Sequence, residues 1–296
     1  MRNNQDRLGI EAEKVDPKQD STEELLSGVT ENKSVGPLSF IVPTEFVDLP
    51  SEGKYYAVGH PLKDKKFIEI KQMTAKEEDI LNSRSLAKKG VVLDRLLESL
   101  VVDKSINVSD LLSGDRQAML LAARISAYGS DYETSVICPS CEKKQKHVFD
   151  LSEKQPTEES IEEQEVPLDV TVTERGTVAF KLPQTQWNIE LMALRGQDEK
   201  TLLGLLETKK KDVKVQSDTY LVDQLKLMII SIDGHTDKKV IGDAVSVMPA
   251  KDSRYLRRTY NQALPTIDLS HKFECNACQY EANMEVPIGV EFFWPK

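Results

Sequence analysis

Aromatic residues are scarce in this chain of 296 residues, at 6% of the total, and there are only two tryptophans and four histidines. A core can form from the 39% of apolar residues, but it must be mainly aliphatic. No apolar run approaches the roughly 20 residues that span a bilayer. The opening MRNNQDRLGIEAEKV lacks the apolar centre of a signal peptide, so a soluble, intracellular protein without a membrane span is expected. Excess positive charge is missing too. Lys and Arg total 39 against 49 for Asp and Glu, a net charge of −10. This excludes a global electrostatic footprint for nucleic acid or anionic lipid.

Signatures of catalysis are equally absent. The 14 glycines are scattered and form neither GxGxxG nor GxxxxGK[ST], so no loop cradles a phosphate. There is no GxSxG elbow and no HExxH. His60, His147, His235 and His271 stand apart in sequence without metal-ligand spacing. Glu77 and Glu78 read as the solvated start of a helix, where acids favour the dipole. No enzyme, and no small-molecule substrate, is expected.

What is present falls into four segments. Residues 1–36 hold eight acids and five bases, and residues 152–165 hold six acids and one base. Both are polar and cannot bury enough surface to offset their ordering entropy, so they read as a disordered acidic tail and an acidic linker. Between them, 37–151 reads as a first α+β half. Phe40–Tyr56 is extended and broken by Pro and a Ser-Glu-Gly turn, and Lys66–Lys71 alternates like a half-buried strand. Thr74 and Glu77 have capping-box spacing, 91–102 carries an apolar stripe, and Ser113 is expected to cap a helix that stops at Gly129. The second half, 166–296, opens on a hairpin around Arg175-Gly176. Helical patterns follow at 186–194, 198–208, 219–232 and 250–264. Phe292, Phe293 and Trp294 form an apolar terminus expected to dock on the chain's own core, with a partner as the alternative.

The four cysteines form two CxxC pairs, Cys138/Cys141 and Cys275/Cys278, each between strand-like segments. Two such turns facing each other offer four thiolates at the corners of a tetrahedron, and zinc accepts that set without redox chemistry. With no ligand position open, the metal would be structural. Rubredoxin-like iron is a rival. A thioredoxin-like redox pair at Cys138/Cys141 is another, but it wants an apolar helix after the motif, and EKKQKHVFDL is charged and then extended. Disulfides fit poorly with an intracellular chain. His147 and His271 lie near enough in sequence to replace a thiolate.

The pairs also mark an internal duplication. Asp115 precedes Cys138 by 23 residues, and Asp252 precedes Cys275 by 23. Each interval reads as a helix and then a strand. The expected fold class is α+β: two related helix-rich halves, each with a short β-hairpin and a CxxC knuckle, joined at a shared zinc site of four cysteines.

The ordered pieces VPTEFVDLPSEGKYYAVGHPL, IEIKQMTAKEEDIL, KKGVVLDRLL, LLSGDRQAMLLAARISAYGSDYE and CPSC resemble the baseplate hub subunit family of T-even-type contractile-tailed bacteriophages. The resemblance covers residues 40–151. It implies a non-enzymatic structural or assembly role in the tail baseplate hub, other hub or tail proteins as partners, and a place in the virion or in host cytoplasm during assembly. The Leu49–Tyr56 loop and the C-terminal FFWPK are candidate contact surfaces, simple packing of Tyr55 and Tyr56 being the alternative. A nucleic-acid-binding zinc ribbon is the second functional reading, based on Lys143, Lys144, Lys146 and His147 beside the first CxxC and on Arg254, Arg257 and Arg258. The net charge and the lack of aromatic residues among those bases oppose it.

Overall fold

Alternating side chains set the opening hairpin of the computed structural model, which describes residues 42–152, 170–198, 200–202, 204, 220–264 and 267–294. The acidic tail and nearly all of the acidic linker expected from the sequence lie outside the described residues. β1 (Thr44–Asp48) pairs antiparallel with β2 (Phe67–Lys71), and Val47, Ile68 and Ile70 point into the core. The loop between them turns sharply at Gly53, where φ is +73° and a Cβ would lie 2.4 Å from the Leu62 carbonyl oxygen. Only glycine fits such an approach.

Helix α1 (Ala75–Asn82) has the expected capping box between Thr74 and Glu77. Glu77 is nevertheless buried rather than solvated, because its second oxygen accepts the Ser99 hydroxyl at 2.6 Å. The carboxylate thus ties α1 to α3 (Val92–Leu100), with the short α2 (Arg84–Lys89) between them. Val92, Leu96, Leu97 and Leu100 form the buried stripe of α3. α4 (Ser113–Tyr128) ends at Gly129 as expected, but its N-cap is Leu112. Ser113 sits one residue inside, with its N–H donated to Leu194 O at 2.9 Å and its hydroxyl making no side-chain cap. β3 (Asp131–Ile137) and β4 (Lys144–Asp150) follow as an antiparallel pair.

After the linker, β5 (Thr171–Val172), β6 (Val178–Lys181), β7 (Asn188–Leu191) and β8 (Ile229–Ile232) form an antiparallel meander in that order. The hairpin around Gly176 matches the sequence reading. Two helical expectations do not hold: 188–191 and 229–232 are strands. NIEL and IISI pair with Ile189 opposite Ile232, and both isoleucines are buried. Short apolar runs fit either period, and here the cross-strand partner decides. Helix α5 (Tyr220–Met228) therefore stops where β8 begins. Next come α6 (Lys238–Ser246), capped by Asp237, and α7 (Ala250–Ala263). β9 (Ser270–Glu274) pairs antiparallel with β10 (Glu281–Glu285), and a 3-10 turn, Val290–Phe293, closes the described chain. The fold is α+β, with helices packed among small antiparallel sheets.

One apolar core runs through these elements. Phe292 and Phe293 are fully buried in it, so the C-terminal segment docks on its own chain. Arg124, itself 2% exposed, holds that segment: Nε donates to Phe292 O at 2.9 Å while the other guanidinium nitrogens bind the Gly129 and Asp131 carbonyls. Tyr56 is buried, its hydroxyl donating to Asp115 at 2.8 Å, and the Tyr55 hydroxyl reaches the Ala263 carbonyl. Neither tyrosine is an exposed anchor; both pack within the chain.

Candidate metal centre

Each CxxC closes a hairpin with the same hydrogen bonds. Cys138 N–H donates to Lys143 O at 3.0 Å and Glu142 N–H to Cys138 O at 2.9 Å. In the second turn, Cys275 N–H donates to Tyr280 O and Gln279 N–H to Cys275 O, both at 2.9 Å. Glu142 and Gln279 occupy the same left-handed position, with φ of 57° and 56°. Such a φ is uncommon outside glycine, asparagine and aspartate, so local composition did not announce it.

The two turns face each other. All four Sγ atoms lie within 4.8 Å of one another, with Cys138–Cys278 and Cys141–Cys275 both at 3.7 Å. A tetrahedral ion with metal–sulfur bonds of ~2.3 Å has sulfur–sulfur edges of ~3.8 Å. The donor set therefore fits a four-coordinate thiolate site and leaves no open position. Cys138 and Cys275 are buried, Cys141 is half-buried and Cys278 is exposed. The Ala277 N–H points at Cys275 Sγ (3.4 Å) and pulls that thiol down to about 6. At Cys278 the Tyr280 N–H favours the thiolate, but burial and the adjoining thiols outweigh it and push the group up to about 12. One thiol ionises readily and its neighbour resists, as expected where several negative charges would crowd together without a cation.

Buried carboxylates hold the helices that lead into the two turns. Asp115 on α4 accepts the Ser51 N–H at 3.0 Å, the Ser51 hydroxyl at 2.6 Å and the Tyr56 hydroxyl. Asp252 on α7 accepts the Gln184 and Thr185 N–H groups, both at 2.8 Å. Ser51 and Gln184 each follow a Leu-Pro pair, Leu49-Pro50 and Leu182-Pro183, that leaves a strand. Burial pushes the Asp115 carboxyl up. At Asp252 burial acts the same way, but the donors prevail and the carboxyl lies below its ordinary range.

Two features of the centre had no motif to announce them. Gln145 on β4 bridges the turns, its amide donating to Glu274 O and accepting from Asn276 N–H, both at 2.9 Å. His147 and His271, far apart in sequence, come together beside Phe149 and Phe273. His147 lies 5.5 Å from Phe273 and Phe149 lies 5.5 Å from His271, ring to ring and edge to face. The repeated pattern His-Val-Phe and His-Lys-Phe was the available signal. Neither histidine belongs to the group able to hold a metal, which is made of cysteines alone. Burial, reinforced by His271, lowers the His147 pKa.

Of the bases considered for nucleic acid, Lys146 beside the first turn pairs with Glu133 at 2.5 Å, and Arg257 on α7 turns its Nε back to Ser253 O at 3.4 Å. The nucleic-acid reading is not favoured. Among the described residues no helix is long and apolar enough to cross a membrane.

Fold and site thus define a helix-rich α+β protein in which four cysteines cluster between two facing turns. A family model described as T4 bacteriophage base plate protein matches residues 44–294, and the chain belongs to that family. Membership implies a structural protein of the phage tail, in contact with other tail proteins. No curated protein and no solved structure matches the chain.

Proposed function

We propose that this chain is a non-catalytic subunit or assembly factor of the tail baseplate hub, held in shape by one structural zinc on Cys138, Cys141, Cys275 and Cys278. The family match carries the baseplate reading. The four thiols, spaced as a tetrahedral site requires and closed to further ligands, carry the zinc reading. When bound, zinc supplies a cross-link and no chemistry. The Gln145 amide orients the two turns, and the Ala277 N–H favours a thiolate at Cys275.

The chain further reads as two related halves, 37–151 and 166–296, joined by an acidic linker at 152–165 and preceded by an acidic tail at 1–36. Supporting this are the matching CxxC turns, the left-handed Glu142 and Gln279, the His-x-Phe strands, and the Leu-Pro turns caught by Asp115 and Asp252. Other hub or tail proteins are its partners, in the virion or in host cytoplasm during assembly. Quantitative mass spectrometry of purified virions, counted against the tail-tube subunit, tests this. A fixed low copy number marks a retained hub part, whereas absence from virions with abundance in infected lysate marks an assembly factor. Absence from both ends the baseplate reading.

A further inference from the structure

Every described phenylalanine is buried except two, and those two touch. Phe46 is 68% exposed and Phe67 is 55% exposed, and their rings meet edge to face at 5.6 Å on the outer face of the β1–β2 hairpin. Neither ring does anything for the core, where Val47, Ile68 and Ile70 serve from the opposite face. Their mutual contact keeps the apolar patch formed in the absence of any partner.

The same hairpin presents an open edge. The far side of β2 is taken, since Ile70 bridges Val101 and Val102 N–H donates to Glu69 O at 3.2 Å. β1 pairs with β2 alone, and no other strand lies along it among the described residues. Gln72 N–H donates to Pro43 O and Leu49 N–H to Lys66 O, which marks the hydrogen-bonded pairs at both ends of the ladder. By antiparallel alternation, Thr44, Phe46 and Asp48 direct their backbone N–H and C=O groups away from β2. Phe46 therefore combines an outward backbone with an exposed ring.

Charge specifies what would cover this edge. The register places Glu69 opposite Phe46 and Asp48 opposite Phe67, one carboxylate beside each ring. Lys71, opposite Thr44, closes one end of the patch. The surface thus asks for apolar side chains at its centre and cations around them, delivered by an extended backbone.

We infer that the β1 edge is a docking site for an extended, basic segment of another tail protein, which adds to the hairpin as a strand. Its apolar side chains cover Phe46 and Phe67, and its Lys or Arg residues meet Asp48 and Glu69. The inference rests on the baseplate reading for where that partner is found.

The test places p-benzoylphenylalanine at position 46, and separately at 67, in the full-length chain supplied to infected host cells. After irradiation, adducts are mapped by mass spectrometry in whole cells and in purified tails. The expected product joins the chain to a net-positive segment of a different tail protein. Combining the label at 46 with Asp48→Lys and Glu69→Lys should lower its yield about tenfold while the urea midpoint of the purified variant stays unchanged. An adduct only to residues 1–41 of the same chain, only to a second copy, or to an acidic segment overturns the inference, as does no adduct at all. A basic segment of a protein outside the tail would keep the docking site and instead remove the baseplate reading.

Discussion

If the proposed zinc is bound, removing it should cost about 5 kcal/mol of folding stability. The paired thiols at 3.7 Å join positions 140 and 134 residues apart, Cys138 with Cys278 and Cys141 with Cys275. Cross-linking a loop of that length removes about 5 kcal/mol of closure entropy from the unfolded chain. That is a large share of a typical net stability of about 5–15 kcal/mol. Urea unfolding followed by circular dichroism, with and without a zinc-selective chelator under reducing conditions, reads the effect. At an m-value of about 2 kcal/mol/M the midpoint should fall by about 2.5 M. Plasma mass spectrometry should find one zinc per untreated chain. Cys278→Ser is the informative variant, since Cys278 is exposed and its loss disturbs little packing. It should lower the midpoint by a similar amount and release the zinc. A metal-free protein with an unshifted midpoint, or a Cys278→Ser chain that keeps its metal and its stability, would refute the claim that the four thiols act as a staple.

Other consequences can be checked with similar tools. Gln145→Ala should leave the fold intact but release zinc to a chelator about 10–100-fold faster, since it removes the amide bridging the two turns. Asp252→Ala should cost about 3 kcal/mol in urea unfolding by stranding the Gln184 and Thr185 N–H groups. Arg124→Met should cost about 3–5 kcal/mol, measured the same way, and should shift tryptophan emission to the red as the segment holding Trp294 loosens. His147 has its pKa lowered by burial and by His271, so its neutral form is the one the fold prefers. Its contribution is complete above the unfolded value of about 6.5 and is lost as pH falls toward its folded value. His147→Gln should therefore flatten the loss of stability on the acid side of pH 6.5, read from urea midpoints at pH 7.5 and pH 5.5.

Features governed by neighbours in the chain were legible early. The Thr74–Glu77 capping box, the stop at Gly129, the hairpin at Gly176 and the helix after Pro249 depend on contacts a few residues apart. The two CxxC pairs named the four cysteines that cluster, because a tight turn presents two thiols wherever it sits. The strands at Asn188–Leu191 and Ile229–Ile232 were misread as helix, since their state depends on each other across about 40 intervening residues. Glu77, read as a solvated helix start, is buried because the Ser99 hydroxyl meets it inside, and of the two readings of Tyr56 packing holds because its hydroxyl donates to Asp115.

By itself the sequence determined the α+β class, the aliphatic core, and the pairing of the four cysteines in two CxxC turns. These follow from composition and short spacing. Tertiary structure alone decided that the two turns face each other with sulfurs 3.7 Å apart, that Gln145 spans them, and that His147 and His271 meet Phe273 and Phe149. It alone also left Phe46 and Phe67 outside. Each of these depends on which distant segments the core brings together, and the residues that settle such packing lie far along the chain from the groups they orient.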